Sequence, residues 1–163
     1  MHTSVPVAAD ARGIRVGVVT SRYHDAITSR LLEGAKAAFA RAGGSEADLV
    51  LVDAPGAFEL VAIAHALVGR ADVDAVVGIG CVLTGETSHD RWICEGVANG
   101  FAALAARTGK PVAFGVLTCQ SLEQAAARAG GAKGNKGEEA MLAAVVAAQA
   151  VARVKRLPLG RPA

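Results

Sequence analysis

Four short apolar runs, separated by longer stretches with apolar residues at helical spacing, set the pattern of this chain. Residues 14–20 (IRVGVVT) are rich in β-branched side chains and read as a strand, and residues 49–52 read as a second. Residues 75–83 (AVVGIGCVL) show no apolar–polar alternation, the signature of a strand buried on both faces. Residues 111–118 (PVAFGVLT) form a fourth. A helix is predicted over residues 26–41, with Ile27, Leu31, Ala35 and Ala38 on one face, Asp25 as cap and Gly43-Gly44 as stop. Pro55 and Gly56 mark the start of a second helix that runs to Val68. A third carries Ile93, Val97, Phe101 and Leu104 one turn apart and ends near Gly109. Ser121 and Gln124 have capping-box spacing and open a short helix that ends at Ala129-Gly130-Gly131. Residues 133–137 are a turn, and a last helix runs from Glu138 to about Lys155 with Met141, Leu142, Val145, Val146 and Ala148 apolar.

Strands alternating with helices imply parallel pairing and right-handed crossovers. The expected fold class is α/β: a three-layer α/β/α sandwich with a four-stranded parallel sheet, in one domain over residues 14–157. Residues 1–13 lack periodicity and read as a tail, as do residues 158–163 with their two prolines. Gly96 and Gly100, four apart on the third helix, would let another backbone come close. The chain is rich in apolar surface for its size, which favours that helix packing on its counterpart in another subunit over packing within the chain.

Composition narrows the function classes. Hydrophobic residues make up 52% of the chain but aromatics only 4%, with 19 glycines, which suits helices packed tightly on a sheet. A net charge of +2 with both signs dispersed argues against nucleic acid as a partner. Three cysteines without a C-x-x-C fit neither a disulfide framework nor a metal site, and a reducing cytoplasm is the simplest setting. No apolar run is long enough to span a membrane.

The candidate chemistry gathers where the third strand ends. There the chain turns small and polar through Thr84, Gly85, Glu86, Thr87 and Ser88 to His89, then becomes helical. Ligands of open parallel sheets sit at strand carboxyl ends, and a helix start offers free N–H groups to an anion. His89 can exchange a proton near neutrality, with Asp90 beside it as a possible orienting group. The glycine spacing of Gly80 to Thr87 mimics a phosphate-binding loop, but Glu86 replaces the required lysine and would repel a triphosphate. Gly78-x-Gly80 lacks the third glycine of a dinucleotide fingerprint, and no G-x-S-x-G marks a hydrolase serine. Arg128 and Lys136 each read either as a helix-end or turn cation or as a phosphate ligand. Tyr23, Phe58 and Phe114 fall near strand ends, where flat rings could hold a heterocycle, and Glu59 could accept hydrogen bonds from sugar hydroxyls. His24 is a weaker candidate, and His65, inside an apolar helix, reads as structural.

Five stretches taken together carry a resemblance: S-R-Y-H-D-A-I-T at 21–28, P-G-A-F-E-L at 55–60, G-E-T-S-H at 85–89, F-G-V-L-T at 114–118, and E-Q-A-A-A-R-A-G followed by G-N-K-G within 123–137. In this order and spacing the chain resembles the lumazine synthase family over about residues 14–152. The resemblance implies a flavodoxin-like sandwich and a condensation that uses no metal and no organic cofactor. It implies two substrates, 5-amino-6-(D-ribitylamino)uracil and 3,4-dihydroxy-2-butanone 4-phosphate, joined with loss of phosphate and water. By that resemblance Tyr23 stacks on the pyrimidine, while Ala57, Phe58 and Glu59 hold its ring and ribityl chain and Cys81, Val82 and Leu83 complete the substrate-binding set. Gly85, Glu86 and Thr87 cradle the phosphate with Arg128, His89 shuttles protons, and Phe114 and Lys136 come from a neighbouring subunit. A cytoplasmic homo-oligomer built on pentamers is implied, with residues 1–13 able to add as a strand to a neighbour's sheet. The chain departs from the family pattern at several positions: Asp90-Arg91-Trp92 follows the histidine, Thr84 and Ala132 replace basic residues, and His24 replaces an asparagine. A non-catalytic shell or flavin-binding protein of the same fold is the alternative reading, and a receiver-type signalling domain is disfavoured by the absence of paired acids after the first strand.

Overall fold

Strand β1 (Val16–Ser21) is buried along its whole length because it has a strand on each side and helices on both faces. A computed structural model describes residues 8–158. In it β1, β2 (Leu49–Ala54), β3 (Ala75–Leu83) and β4 (Val112–Cys119) pair in parallel in the order β2-β1-β3-β4. Helices α1 (Asp25–Arg41) and α5 (Lys136–Arg156) cover one face, packing Leu31, Phe39, Met141 and Val145 on Val16, Val18, Val77 and Ile79. Helices α2 (Leu60–Val68) and α3 (His89–Thr108) cover the other with Leu60, Ala64, Val97 and Phe101. The odd and even residues of β3 enter opposite cores, which is why its apolar run does not alternate. The three-layer α/β/α sandwich expected from the sequence is present.

Glycine sets how closely α3 approaches the sheet. A Cβ on Gly78 would lie 2.2 Å from the Phe101 ring, so the strand leaves the space that the ring fills. The glycines of α3 itself serve the same intrachain packing: Gly96 faces Phe58, and a Cβ on Gly100 would lie 2.7 Å from Val61 of α2. This corrects the expectation that they serve a contact between subunits.

The turn expected at residues 133–137 is instead part of a small hairpin. After α4 (Leu122–Arg128), β5 (Ala129–Gly131) pairs antiparallel with β6 (Gly134–Asn135), and Lys136 is already the first residue of α5. Gly130 (φ 88°) and Gly134 (φ 78°) take the left-handed backbone this reversal needs. Asn135 is the cap of α5. Its Oδ1 accepts from the N–H groups of Gly137 (2.9 Å) and Glu138 (3.2 Å), and its Nδ2 donates to the Arg30 carbonyl at 2.9 Å. Asn135→Ala is expected to lower stability by about 1–2 kcal/mol, read as a drop in the urea midpoint with an unchanged slope.

Residues 1–7 and 159–163, parts of the two expected tails, lie outside the described residues. Within residues 8–13, Ala11 is buried against the core and donates its N–H to the Ala42 carbonyl (2.8 Å). At the amino ends of the strands, Arg15 and Arg70 converge on Asp72 at 2.9 and 2.8 Å. Hydrogen bonds from Arg70 and then Arg15 hold the Asp72 carboxyl at about 2, below its ordinary 3.8. A carboxyl whose pKa is lower folded than unfolded adds stability that is present above 3.8 and is lost as pH falls through about 2. Thermal melts of Asp72→Asn should therefore lose less Tm than the wild type across that acid window.

Candidate active site

The strand order reverses between β1 and β3, because β1 leads outward to β2 and the chain returns on the other side of β1. A crevice beyond the strand carboxyl ends is expected at such a point. A cavity of about 700 Å³ lies there. Tyr23 and His24 enter it from the turn after β1, and residues 56–59 from the turn ahead of α2. Residues 81–83 of β3 enter with Gly85 and Thr87, and His89, Asp90, Trp92 and Ile93 come from the first turns of α3.

Local sequence explains how these groups are presented. His24 has a left-handed backbone (φ 59°), which turns the chain sharply from β1 into α1. Asparagine tolerates that conformation, and histidine does so better than most residues. Arg22 braces the turn through Asp25 (2.9 Å) and Asp53 (3.6 Å). The Tyr23 ring meets His24 edge-on, 4.7 Å between centroids, and stays 66% exposed. Phe58 is 59% exposed. The Glu59 carboxylate lies back toward Gly56, where a Cβ would be 2.9 Å from Oε2. Cys81 belongs with Cys119 to the core on the opposite face of the sheet, so β3 meets the cavity at this residue through its main chain. Burial, aided by Cys119, pushes the Cys81 thiol up to about 11, which leaves it protonated at neutral pH.

At the start of α3, Ser88 caps the helix without a side-chain hydrogen bond, while Thr87 Oγ1 accepts from the His89 N–H at 3.4 Å. The remaining first-turn N–H groups have no side-chain acceptor at the cap, the condition in which a helix start receives an anion. The space beside Gly85 is open, with nothing within 4 Å of a Cβ placed there. His89 is exposed at the cavity, and Asp90 is half-buried beside it. Among the described residues no hydrogen bond joins the His89 ring to Asp90. The Cys94 thiol is pushed up by burial and, second, by the charge of Asp90.

Twelve of the sequence candidates are brought together here: Tyr23, His24, Ala57, Phe58, Glu59, Cys81, Val82, Leu83, Gly85, Thr87, His89 and Asp90. Glu86, Phe114, Arg128 and Lys136 do not line the cavity of this chain. Phe114 is the third residue of edge strand β4, toward the amino end, its ring edge-on to Phe101 at 6.1 Å. Arg128 ends α4 and donates from Nη1 to the Gln124 carbonyl at 3.1 Å. Lys136 is paired with Glu139 on the first turn of α5. Gly56, Trp92 and Ile93, none of them a site candidate by sequence, also line the cavity. For Trp92 the signal was present, since it lies three residues after His89 and shares its helix face.

A parallel α/β domain that places exposed rings, an imidazole and an open helix start in one crevice at its switch point is built to bind a small molecule and act on it. Residues 13–152 match the sequence model for 6,7-dimethyl-8-ribityllumazine synthase. The chain is 44% identical over 135 residues to the 6,7-dimethyl-8-ribityllumazine synthases of two Thermus thermophilus strains, covering 83% of this chain and 86% of theirs. It is likewise 44% identical over 135 residues to that of Aquifex aeolicus, covering 83% of this chain and 88% of the relative. The chain belongs to the 6,7-dimethyl-8-ribityllumazine synthase family.

Proposed function

We propose that this chain is the transferase of riboflavin biosynthesis that condenses 5-amino-6-(D-ribitylamino)uracil with 3,4-dihydroxy-2-butanone 4-phosphate to 6,7-dimethyl-8-ribityllumazine. Family membership supports the reaction. The observation that carries it to this chain's own residues is that Tyr23, Phe58 and His89, from three separate segments, line a single cavity at the switch point.

The roles follow from the chemistry. Tyr23 stacks on one face of the pyrimidine, Phe58 packs against the ring edge, and Glu59 accepts hydrogen bonds from the ribityl hydroxyls. Residues 81–83 floor the pocket. The N–H groups of Gly85, Glu86 and Thr87 at the start of α3 receive the phosphate. The pyrimidine amine attacks the ketone carbon, and loss of water leaves an imine. The C–O bond to phosphate then breaks, and the second nitrogen closes the ring with loss of another water. Each stage moves a proton, and His89 gives and takes it at the imidazole. Holding the two substrates together supplies much of the rate.

The phosphate needs a fixed cation, and Arg128 of the same chain is not at the cavity. We assign Arg128, Phe114 and Lys136 to the site of an adjacent copy, in a cytoplasmic homo-oligomer built on pentamers. No helix among the described residues is long and apolar enough to cross a membrane. The purified protein given both substrates should form green-fluorescent lumazine, and no product over hours would contradict the reading.

A further inference from the structure

Trp92 is the only tryptophan of the chain, and its side chain is 62% exposed at the cavity rim. An indole left in water forgoes a large apolar burial, and exposed rings of this kind collect where something covers them. Three of the six aromatic residues, Tyr23, Phe58 and Trp92, are exposed around this one cavity. Trp92 stands on the α3 side, on the same helix face as His89. The Arg91 guanidinium lies 5.9 Å from the indole centroid and is absent from the cavity lining, and its Nε donates to Glu95 Oε1 at 2.8 Å. The ring thus lines the cavity while a cation, itself fixed by a carboxylate, lies against it.

We infer that Trp92 is a substrate-contacting residue: it is the third aromatic wall of the site, it stacks on the flat heterocycle, and Arg91 and Glu95 position it. This rests on the function proposed above and names a further binding group for it. An aromatic face accepts any conjugated ring, and the bicyclic product offers a larger face than the pyrimidine. Trp92 therefore holds the product at least as well as the ribitylaminouracil. It does not touch the phosphate, so the wall separates the two substrates kinetically.

The test compares wild type, Trp92→Ala, Trp92→Phe and Arg91→Ala in steady-state kinetics, and titrates each calorimetrically with the lumazine product. Trp92→Ala should raise KM for the pyrimidine and Kd for lumazine about tenfold, the weight of one ring-on-ring contact. KM for the phosphate substrate and kcat should stay within about threefold. Trp92→Phe should restore most of the loss, and Arg91→Ala should weaken lumazine binding about threefold with the ring still present. Wild-type emission, which reports Trp92 alone, should be quenched by lumazine. An unchanged pyrimidine KM and lumazine Kd in Trp92→Ala would overturn the inference while leaving the proposed function intact. So would a variant that changes only the number of subunits in sedimentation, since Trp92 would then belong to a subunit contact. A wild type that neither binds lumazine nor turns over would remove the function and this inference with it.

Discussion

Gly137→Ala is expected to cost about 3 kcal/mol or more and to leave little folded protein under conditions where the wild type is stable. Gly137 lies on the first turn of α5, buried against α1. A Cβ there would be 2.0 Å from the Leu31 carbonyl oxygen and 2.6 Å from its carbon, both main-chain atoms. No rotamer change relieves a clash with backbone, so α5 must move off α1 or the chain must tilt where Asn135 caps it. The second route breaks the Asn135 bond to Arg30 as well. Circular dichroism melts of the variant and the wild type check this, with a Tm within a few degrees as the contrary result.

Arg128→Ala is expected to lower kcat/KM for the phosphate substrate by about 100-fold, and to do so far more than His89→Ala. A phosphate dianion held away from bulk water by a guanidinium loses paired, charge-assisted hydrogen bonds when that group is removed, and main-chain N–H groups cannot take its place. An imidazole that relays protons is more replaceable, because water reaches an exposed site such as that of His89 and can carry protons there. The loss should fall on the phosphate substrate and leave the pyrimidine KM near its wild-type value. Equal losses in the two variants would reject this division of roles.

Much of the fold was legible because burial leaves a pattern in one dimension. The unbroken apolar run of β3 reads as a doubly covered strand, and α1 and α5 each show a stripe that the structure buries. The site was legible in the same way where it is local. Gly85, Thr87 and His89 follow one another from strand into helix, so the turn that joins them also brings them to the cavity. Periodicity says which face of a helix is buried but not what it meets. The close spacing of Gly96 and Gly100 is therefore equally compatible with α2 and with a second subunit, and only the packing of Phe58 and Val61 decides for α2. The small hairpin before α5 leaves no pattern in the sequence because its two strands are too short to alternate. The capping bonds of Asn135 to Gly137 and Glu138 are local, whereas its bond to Arg30, 105 residues away, leaves no signal in the sequence. Arg128 and Lys136 match a family motif in sequence, yet their side chains are held at Gln124 and Glu139 of their own chain, away from the cavity.

The claim on which the account turns is that the cavity of one copy is completed by Arg128 of another. Phe58→Ala damages the cavity and leaves Arg128 intact, while Arg128→Ala does the reverse. Unfolding the two inactive proteins together, refolding them as a mixture and assaying with both substrates measures the claim directly. Random assembly gives about a quarter of the sites an intact cavity beside an intact Arg128, so about a quarter of wild-type activity should return. Activity no higher than the sum of the two variants refolded apart would contradict it.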